Sequence, residues 1–154
     1  MKSRLILLAF ACVAVSAAQS SNGYVFVAPG GVTCCGSTTT TLHIGGGGEG
    51  IIGKGFGVGA EIGALGPTQY LAESIGAFSA NGYYHFIHAK DRKLDPFVTG
   101  GYTLLFRGGT ANAGNFGGGV NYWFSRHFGI RAEFRDHVYS TDHYWGFRFG
   151  VTFR

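Results

Sequence analysis

Toward its C-terminal end the chain places an apolar side chain at every second position: Trp145, Phe147, Phe149, Val151 and Phe153, with Gly146, Arg148, Gly150 and Thr152 between them. Successive side chains of a strand point to opposite faces, so this period of two predicts a ribbon with one large apolar face and one small or charged face. No helical segment follows to cover the apolar side. Such a face is suited to lipid.

The same alternation recurs upstream and predicts seven further strands separated by turn residues. The first is short, around Tyr24, Phe26 and Ala28, and Pro29-Gly30-Gly31 is expected to end it. The second runs from about Thr38 to Glu49, with Gly50 to Lys54 as a tight connection. The third alternates Phe56, Val58, Ala60 and Ile62 with Gly57, Gly59, Glu61 and Gly63. The fourth sets Phe78, Ala80, Gly82, Tyr84 and Phe86 against Ser79, Asn81, Tyr83 and His85.

Val98, Gly100, Tyr102, Leu104 and Phe106 form one side of the fifth strand, opposite Thr99, Gly101, Thr103 and Arg107. The sixth offers Phe116, Gly118, Val120, Tyr122 and Phe124 against Gly117, Gly119, Asn121 and Trp123. In the seventh, Phe128, Ile130, Ala132 and Phe134 oppose Gly129, Arg131, Glu133 and Arg135. No 3.6-residue apolar stripe interrupts the series after the N-terminal segment. The expected fold is all-β, an eight-stranded antiparallel up-and-down transmembrane β-barrel.

Charge decides which face is inside. Glu49, Glu61, Arg131, Glu133, Arg135 and Arg148 all fall on the non-aromatic faces, together with His43 and His85. Eight strands enclose just enough space for side chains to fill, and the aromatic faces hold too much volume for it. A cationic side chain facing lipid costs roughly 2–4 kcal/mol near the midplane. The ionic faces are therefore expected inward, paired into a plug, with Arg148 beside Glu133 or Glu61. A soluble lipocalin-like carrier needs the reverse arrangement. Asp136 breaks the pattern, since parity turns it outward, and it is expected above the hydrocarbon. Tyr24, Tyr84, Tyr102, Tyr122, Phe124 and Trp145 are candidates for aromatic girdles where lipid meets water.

Composition agrees with this reading. Charged residues make up 13% of the chain, against roughly 25% in soluble domains, and there are 28 glycines and 16% aromatics. Lys2 and Arg4, the apolar run Leu5 to Val15 and Ser16-Ala17-Ala18 read as a signal peptide over residues 1–18, leaving one barrel domain over 19–154. The apolar run is too short to span a bilayer as a helix, which takes roughly 20 residues. Removing Lys2 and Arg4 from the twelve basic residues leaves ten, against eight acidic, and no basic patch for nucleic acid.

With both termini in the periplasm, GIIGK, AKDRK and SRH become periplasmic turns. Pro29 to Ser37, GPTQYLAES, RGGTANAG and YSTDH then face outside.

The whole span from residue 19 resembles the small eight-stranded outer-membrane barrels typified by OmpA and OmpX. The signal peptide, eight alternating strands, tight turns and aromatic last strand carry the resemblance, with segments such as DPFVTGGYTLLF and NFGGGVNYWF. It implies an outer-membrane location, contact with outer-membrane lipid and lipopolysaccharide, and recognition of the last strand by the barrel-assembly machinery. Arg154 departs from the family pattern by following the terminal aromatic Phe153.

Chemistry is sparse in the sequence. Gly48-x-Gly50-x-x-Gly53 matches a dinucleotide fingerprint and Gly48 to Lys54 most of a P-loop, but both need a following helix, and Gly55 stands where a P-loop has Ser or Thr. The glycines are expected to make room for interior Arg and Trp side chains. Cys34 and Cys35 are adjacent, without the spacing of a zinc site. His85 and His88 point to opposite faces of a strand. His137 and His143, with Asp136 and Asp142, flank the last outer loop and are read as a solvated rim. A lipid A deacylase-like hydrolase would need a base and nucleophile such as His137 and Ser140 with Glu133, which strand parity separates. The expectation is a monomeric, structural or surface-interaction barrel, not an enzyme, with no catalytic, metal or cofactor residues.

Overall fold

The computed structural model describes residues 20–34, 36–87 and 93–154. The signal segment, Cys35, His88 and most of AKDRK lie outside the described residues, as does the side chain of Cys34. Eight strands close into an antiparallel barrel in sequence order: β1 (Ser20–Cys34), β2 (Ser37–Gly53), β3 (Phe56–Pro67), β4 (Ile75–His85), β5 (Leu94–Phe106), β6 (Thr110–Trp123), β7 (Phe128–Tyr139) and β8 (Asp142–Phe153). β8 pairs with β1, from Gly23↔Phe153 to Thr33↔His143. Closure removes both sheet edges and satisfies backbone donors and acceptors between strands.

The expected strands are all present, and several are longer than the alternation suggested. β1 does not end at Pro29-Gly30-Gly31; it continues to Cys34, pairing with β2 throughout. Proline lacks a backbone N–H, and the β1–β8 ladder skips Ala28 and Pro29 before resuming in the same register at Gly30↔Gly146. β2 already starts at Ser37. Likewise β6 starts at Thr110, so most of RGGTANAG is strand.

β2 runs through the glycine-rich stretch to Gly53, and Lys54 and Gly55, at φ 50° and 82°, make a two-residue turn straight into β3. Positive φ at both central residues matches the twist of the flanking strands. Gly48, Gly50 and Gly53 therefore lie in a strand followed by a strand, a context in which neither nucleotide motif can work. A short 3₁₀ turn, Leu71–Glu73, lies in the β3–β4 connection.

Sidedness follows the charge argument. Val25, Ile44, Phe56, Val58, Ile62, Phe78, Val98, Phe116, Ile130, Phe134, Phe147, Phe149 and Val151 are exposed on the outer wall. Glu49, Glu61, Arg131, Glu133, Arg135 and Arg148 are buried inside, together with His43, His85 and Thr152.

Tyr24 is a correction to the girdle expectation. It is buried inside with Phe26 and Ala28, because β1 carries its even-numbered residues inward. Tyr102, Tyr122 and Phe124 do face out. At the end holding the termini, Phe56 packs on Tyr84 with ring centroids 4.9 Å apart, Tyr84 meets Phe86 at 5.2 Å, and Phe128 pairs with Phe153.

Candidate functional site: the ionic interior

β7 supplies the centre of the interior because Arg131, Glu133 and Arg135 occupy alternate positions on its inward face. The Glu133 carboxylate is held between the two guanidinium groups: Arg131 Nε donates to Oε2 at 3.0 Å and Arg135 Nε to Oε1 at 2.5 Å. Arg148 arrives from β8, where it stands directly opposite Glu133 in register. Its Nη1 donates to both Glu61 oxygens at 2.9 Å and lies 3.8 Å from Glu133. Glu61 and Glu133, the two partners expected for Arg148, are thus both present.

Aromatic rings cover the guanidinium faces. Arg131 lies 4.3 Å from the Tyr24 ring centroid and 4.0 Å from that of Phe97, and Arg148 stands 4.3 Å over Phe26. Planar guanidinium groups stack well on rings while their edges donate to carboxylates, so charge and apolar surface share one small space. Tyr24 Oη links Glu61 at 3.1 Å with Tyr83 Oη at 2.9 Å.

Toward the terminal end, Arg131 Nη1 reaches Glu49 at 3.4 Å and Asn121 Oδ1 at 3.4 Å. His85 stands between Asp95, at 2.9 Å, and Glu49, at 3.6 Å. Asn121 Nδ2 also donates to Asp95 Oδ2 at 3.2 Å.

Glycine makes this crowding possible. A Cβ on Gly47 would lie 2.9 Å from Tyr24 Oη and 2.7 Å from Glu61 Cβ. One on Gly119 would lie 2.9 Å from Glu133 Cβ. These glycines make room for Tyr24, Glu61 and Glu133 on adjacent strands, where the sequence reading expected Arg and Trp side chains.

The end of the interior away from the termini is closed in part by His137, which sequence reading left at a loop rim. His137 points inward, not to the loop rim: its Nε2 is 3.1 Å from Arg148 Nη2 and its Nδ1 3.0 Å from Thr103 Oγ1. His43 Nδ1 is 3.4 Å from the same Arg148 nitrogen. Beside them lies a cavity with room for about one water molecule, lined by Thr41, His43, Arg135, His137, Tyr144 and Arg148. Leu105 and Ala113 are also inward, packing with Ala77.

Arg107 is a further correction. It lies beyond the end of β5, exposed, and its Nη2 donates to the Ala72 carbonyl at 3.0 Å across the neighbouring loop. Ser140 occupies the exposed β7–β8 turn at φ 56°, while Glu133 and His137 are buried inside. The three residues of the hydrolase reading are not brought together. The rim residues separate in the same way: Asp136 and His143 pair at 2.7 Å on the outer wall, and His137 does not join them. Among the described residues, no group of three or more His, Cys, Asp or Glu side chains is arranged to hold a metal.

Arg154, unexplained by the family pattern, has a structural place. Its backbone N–H donates to the His127 carbonyl at 3.0 Å, and its guanidinium stacks 3.8 Å over the inward Trp123 ring. It caps the terminal end of the interior.

Comparison of the structure finds close folds at low sequence identity. The N-terminal β-barrel domain of Pseudomonas aeruginosa OprF matches with a TM-score of 0.63 at 16% identity, covering 87% of this chain and 98% of that one. Neisserial surface protein A matches at 0.70 and 12% identity, covering 86% and 96%. Ail, the attachment invasion locus protein of Yersinia pestis, matches at 0.56 and 11%, covering 86% and 96%.

The chain has the fold of a small eight-stranded outer-membrane barrel. No family model and no curated protein matches it. The likeness is therefore one of architecture.

Proposed function

We propose that this protein is an integral outer-membrane β-barrel with a filled, non-conducting interior, acting in a structural or surface-interaction role and not as an enzyme. The observation that carries the proposal is inverted sidedness: Arg131, Glu133, Arg135 and Arg148 are buried inside, while Phe134, Phe147, Phe149 and Ile130 are exposed. In water this arrangement is costly on both faces. In a bilayer both faces are satisfied, since lipid covers the rings and the ions pair with one another.

The fold shared with OprF, Neisserial surface protein A and Ail supports the membrane reading. The name of Ail, the attachment invasion locus protein, fits a surface role. Contact with outer-membrane lipid and lipopolysaccharide, delivery by an N-terminal signal peptide, insertion by the barrel-assembly machinery and a monomeric state belong to the same proposal.

The ion-pair network favours a plug over a pore, because water and solutes would have to displace mutually bonded ions. Planar-bilayer recording tests this. The expected result is negligible single-channel conductance from protein that migrates as a compact, heat-modifiable band. Stable openings of porin size would overturn the filled interior, and extraction into buffer without detergent would overturn the membrane assignment.

A further inference from the structure

The two ends of the barrel differ in charge. At the end holding the termini, exposed cations stand at Lys54 between β2 and β3, Lys93 ahead of β5, Arg126 between β6 and β7, and Arg154 after β8. The carboxylates nearest that end are turned inward, where Glu49 bonds Asn22 and Arg131, and Asp95 bonds His85 and Asn121. Among the described residues no carboxylate side chain is exposed there. The opposite end mixes signs, with Arg107 and Glu73 exposed and Asp136, Asp142 and His143 grouped where β7 meets β8.

The cations of the terminal end stand against the edge of the apolar wall. Lys54 comes two residues before Phe56, Lys93 one before Leu94, and Arg126 two from both Phe124 and Phe128. These four apolar side chains are 53–62% exposed. Extended chain advances roughly 3.3 Å per residue, which puts the charges within about 7 Å of the last apolar side chain. The headgroup layer on each side of the hydrocarbon is itself about 5–7 Å thick, so the charges are level with lipid phosphates.

The backbone beneath each cation is held in place. Lys54 occupies its turn at φ 50°, the Lys93 carbonyl accepts from the Trp123 N–H at 2.7 Å, and Ser125 Oγ accepts from the Phe128 N–H at 3.0 Å below Arg126. Connections of two and four residues, 54–55 and 124–127, keep Lys54 and Arg126 at the bilayer surface. We infer that Lys54, Lys93 and Arg126 form a collar that binds the anionic phosphate headgroups of glycerophospholipids at the terminal end. The choice of lipid rests on the membrane reading above and on the adjacency of each cation to the apolar wall. Arg154, engaged over Trp123, adds its charge to the same end.

The test uses the full chain, folded and reconstituted into phosphatidylcholine bilayers that hold trace spin-labelled phosphatidylglycerol or spin-labelled phosphatidylcholine. Electron spin resonance reads the fraction of each label immobilised on the barrel. The wild type is expected to favour phosphatidylglycerol by about fivefold at low salt, the size of one basic side chain's attraction to an anionic surface. The preference should fall toward unity in about 1 M salt, where charges are screened beyond about 3 Å. It should also disappear in the triple variant Lys54→Asn, Lys93→Gln, Arg126→Gln, in which Asn tolerates the positive φ. Arg107→Gln, at the other end, should leave it unchanged.

Equal immobilisation of the two labels by the wild type, an unchanged preference in the triple variant, or an equal loss from Arg107→Gln overturns the inference while leaving the membrane reading intact. If the triple variant loses its compact, heat-modifiable band, Arg126→Gln is read alone, and an undiminished preference there overturns the inference. Failure of the wild type to enter bilayers would instead remove the membrane reading and the collar together.

Discussion

The two faces of β7 are built on one backbone and have opposite chemistry. Inward, Arg131, Glu133 and Arg135 are at most 4% exposed and hydrogen-bond to one another and to β2 and β6, with Arg148 of β8 at 3.8 Å from Glu133. Outward, Ile130 and Phe134 are 53% and 38% exposed, and Asp136 at the rim is the first charged residue on that face of β7. The contrast teaches that position along the strand matters less than parity. An ion shifted by one residue would exchange a full set of partners for contact with the apolar wall.

The largest break in this contrast should come from the inside. Arg148→Met removes the group that pairs with Glu61 and touches His43 and His137, leaving a buried carboxylate without its main counter-charge. Breaking such a pair costs about 3–5 kcal/mol, read as a lowered urea midpoint for unfolding in detergent micelles. Replacing Glu61 by Leu in the same chain should restore much of the loss, since the orphaned charge is then gone. A double variant as unstable as the sum of the single changes would show that Arg148 and Glu61 act independently.

Next comes the outer wall. Phe149→Arg places a cation on the apolar face, at a cost of about 2–4 kcal/mol, and should impair assembly into liposomes. Thr152, fully buried and donating to the Gly23 carbonyl at 3.2 Å, should tolerate Ser, which keeps the hydroxyl. Equal folding yields for Phe149→Arg and Thr152→Ser would erase the distinction between the faces.

Arg154→Ala should have the smallest effect. The lost stacking on Trp123 is worth about 0.5–1 kcal/mol at an exposed site, so a slight fall in the unfolding midpoint is expected.

Much of this was legible in the sequence because a strand in a barrel has a strict period. Every ion of the β7 triplet, Arg148 and Glu61 fall inward by parity alone. Alternation is a weaker guide where a strand has small residues or an aromatic inward face. Tyr24 is misplaced in the girdle by sequence reading because β1 carries rings on its inward side and valines on its outward side, so the larger side chains do not mark the lipid face.

His137 was hidden by its nearness to the loop YSTDH. Only the length of β7, which continues to Tyr139, turns it inward toward Arg148. Asp95 escaped notice because the alternation of the fifth strand is read from Val98 onward, whereas β5 starts at Leu94. Arg154 had no sequence signal at all, since its partner Trp123 lies on a strand that is not its neighbour in the chain.

The central claim is that the aromatic wall meets lipid while the ions meet one another, and the two tryptophans report on it separately. Trp145 belongs to the outer row and Trp123 is buried inside. Each is isolated by a Trp→Phe change at the other, and the folded protein is placed in liposomes whose acyl chains are brominated near the headgroup. The account predicts strong quenching of Trp145 emission and little quenching of Trp123. Equal quenching of both, or stronger quenching of Trp123, would contradict the inside-out barrel.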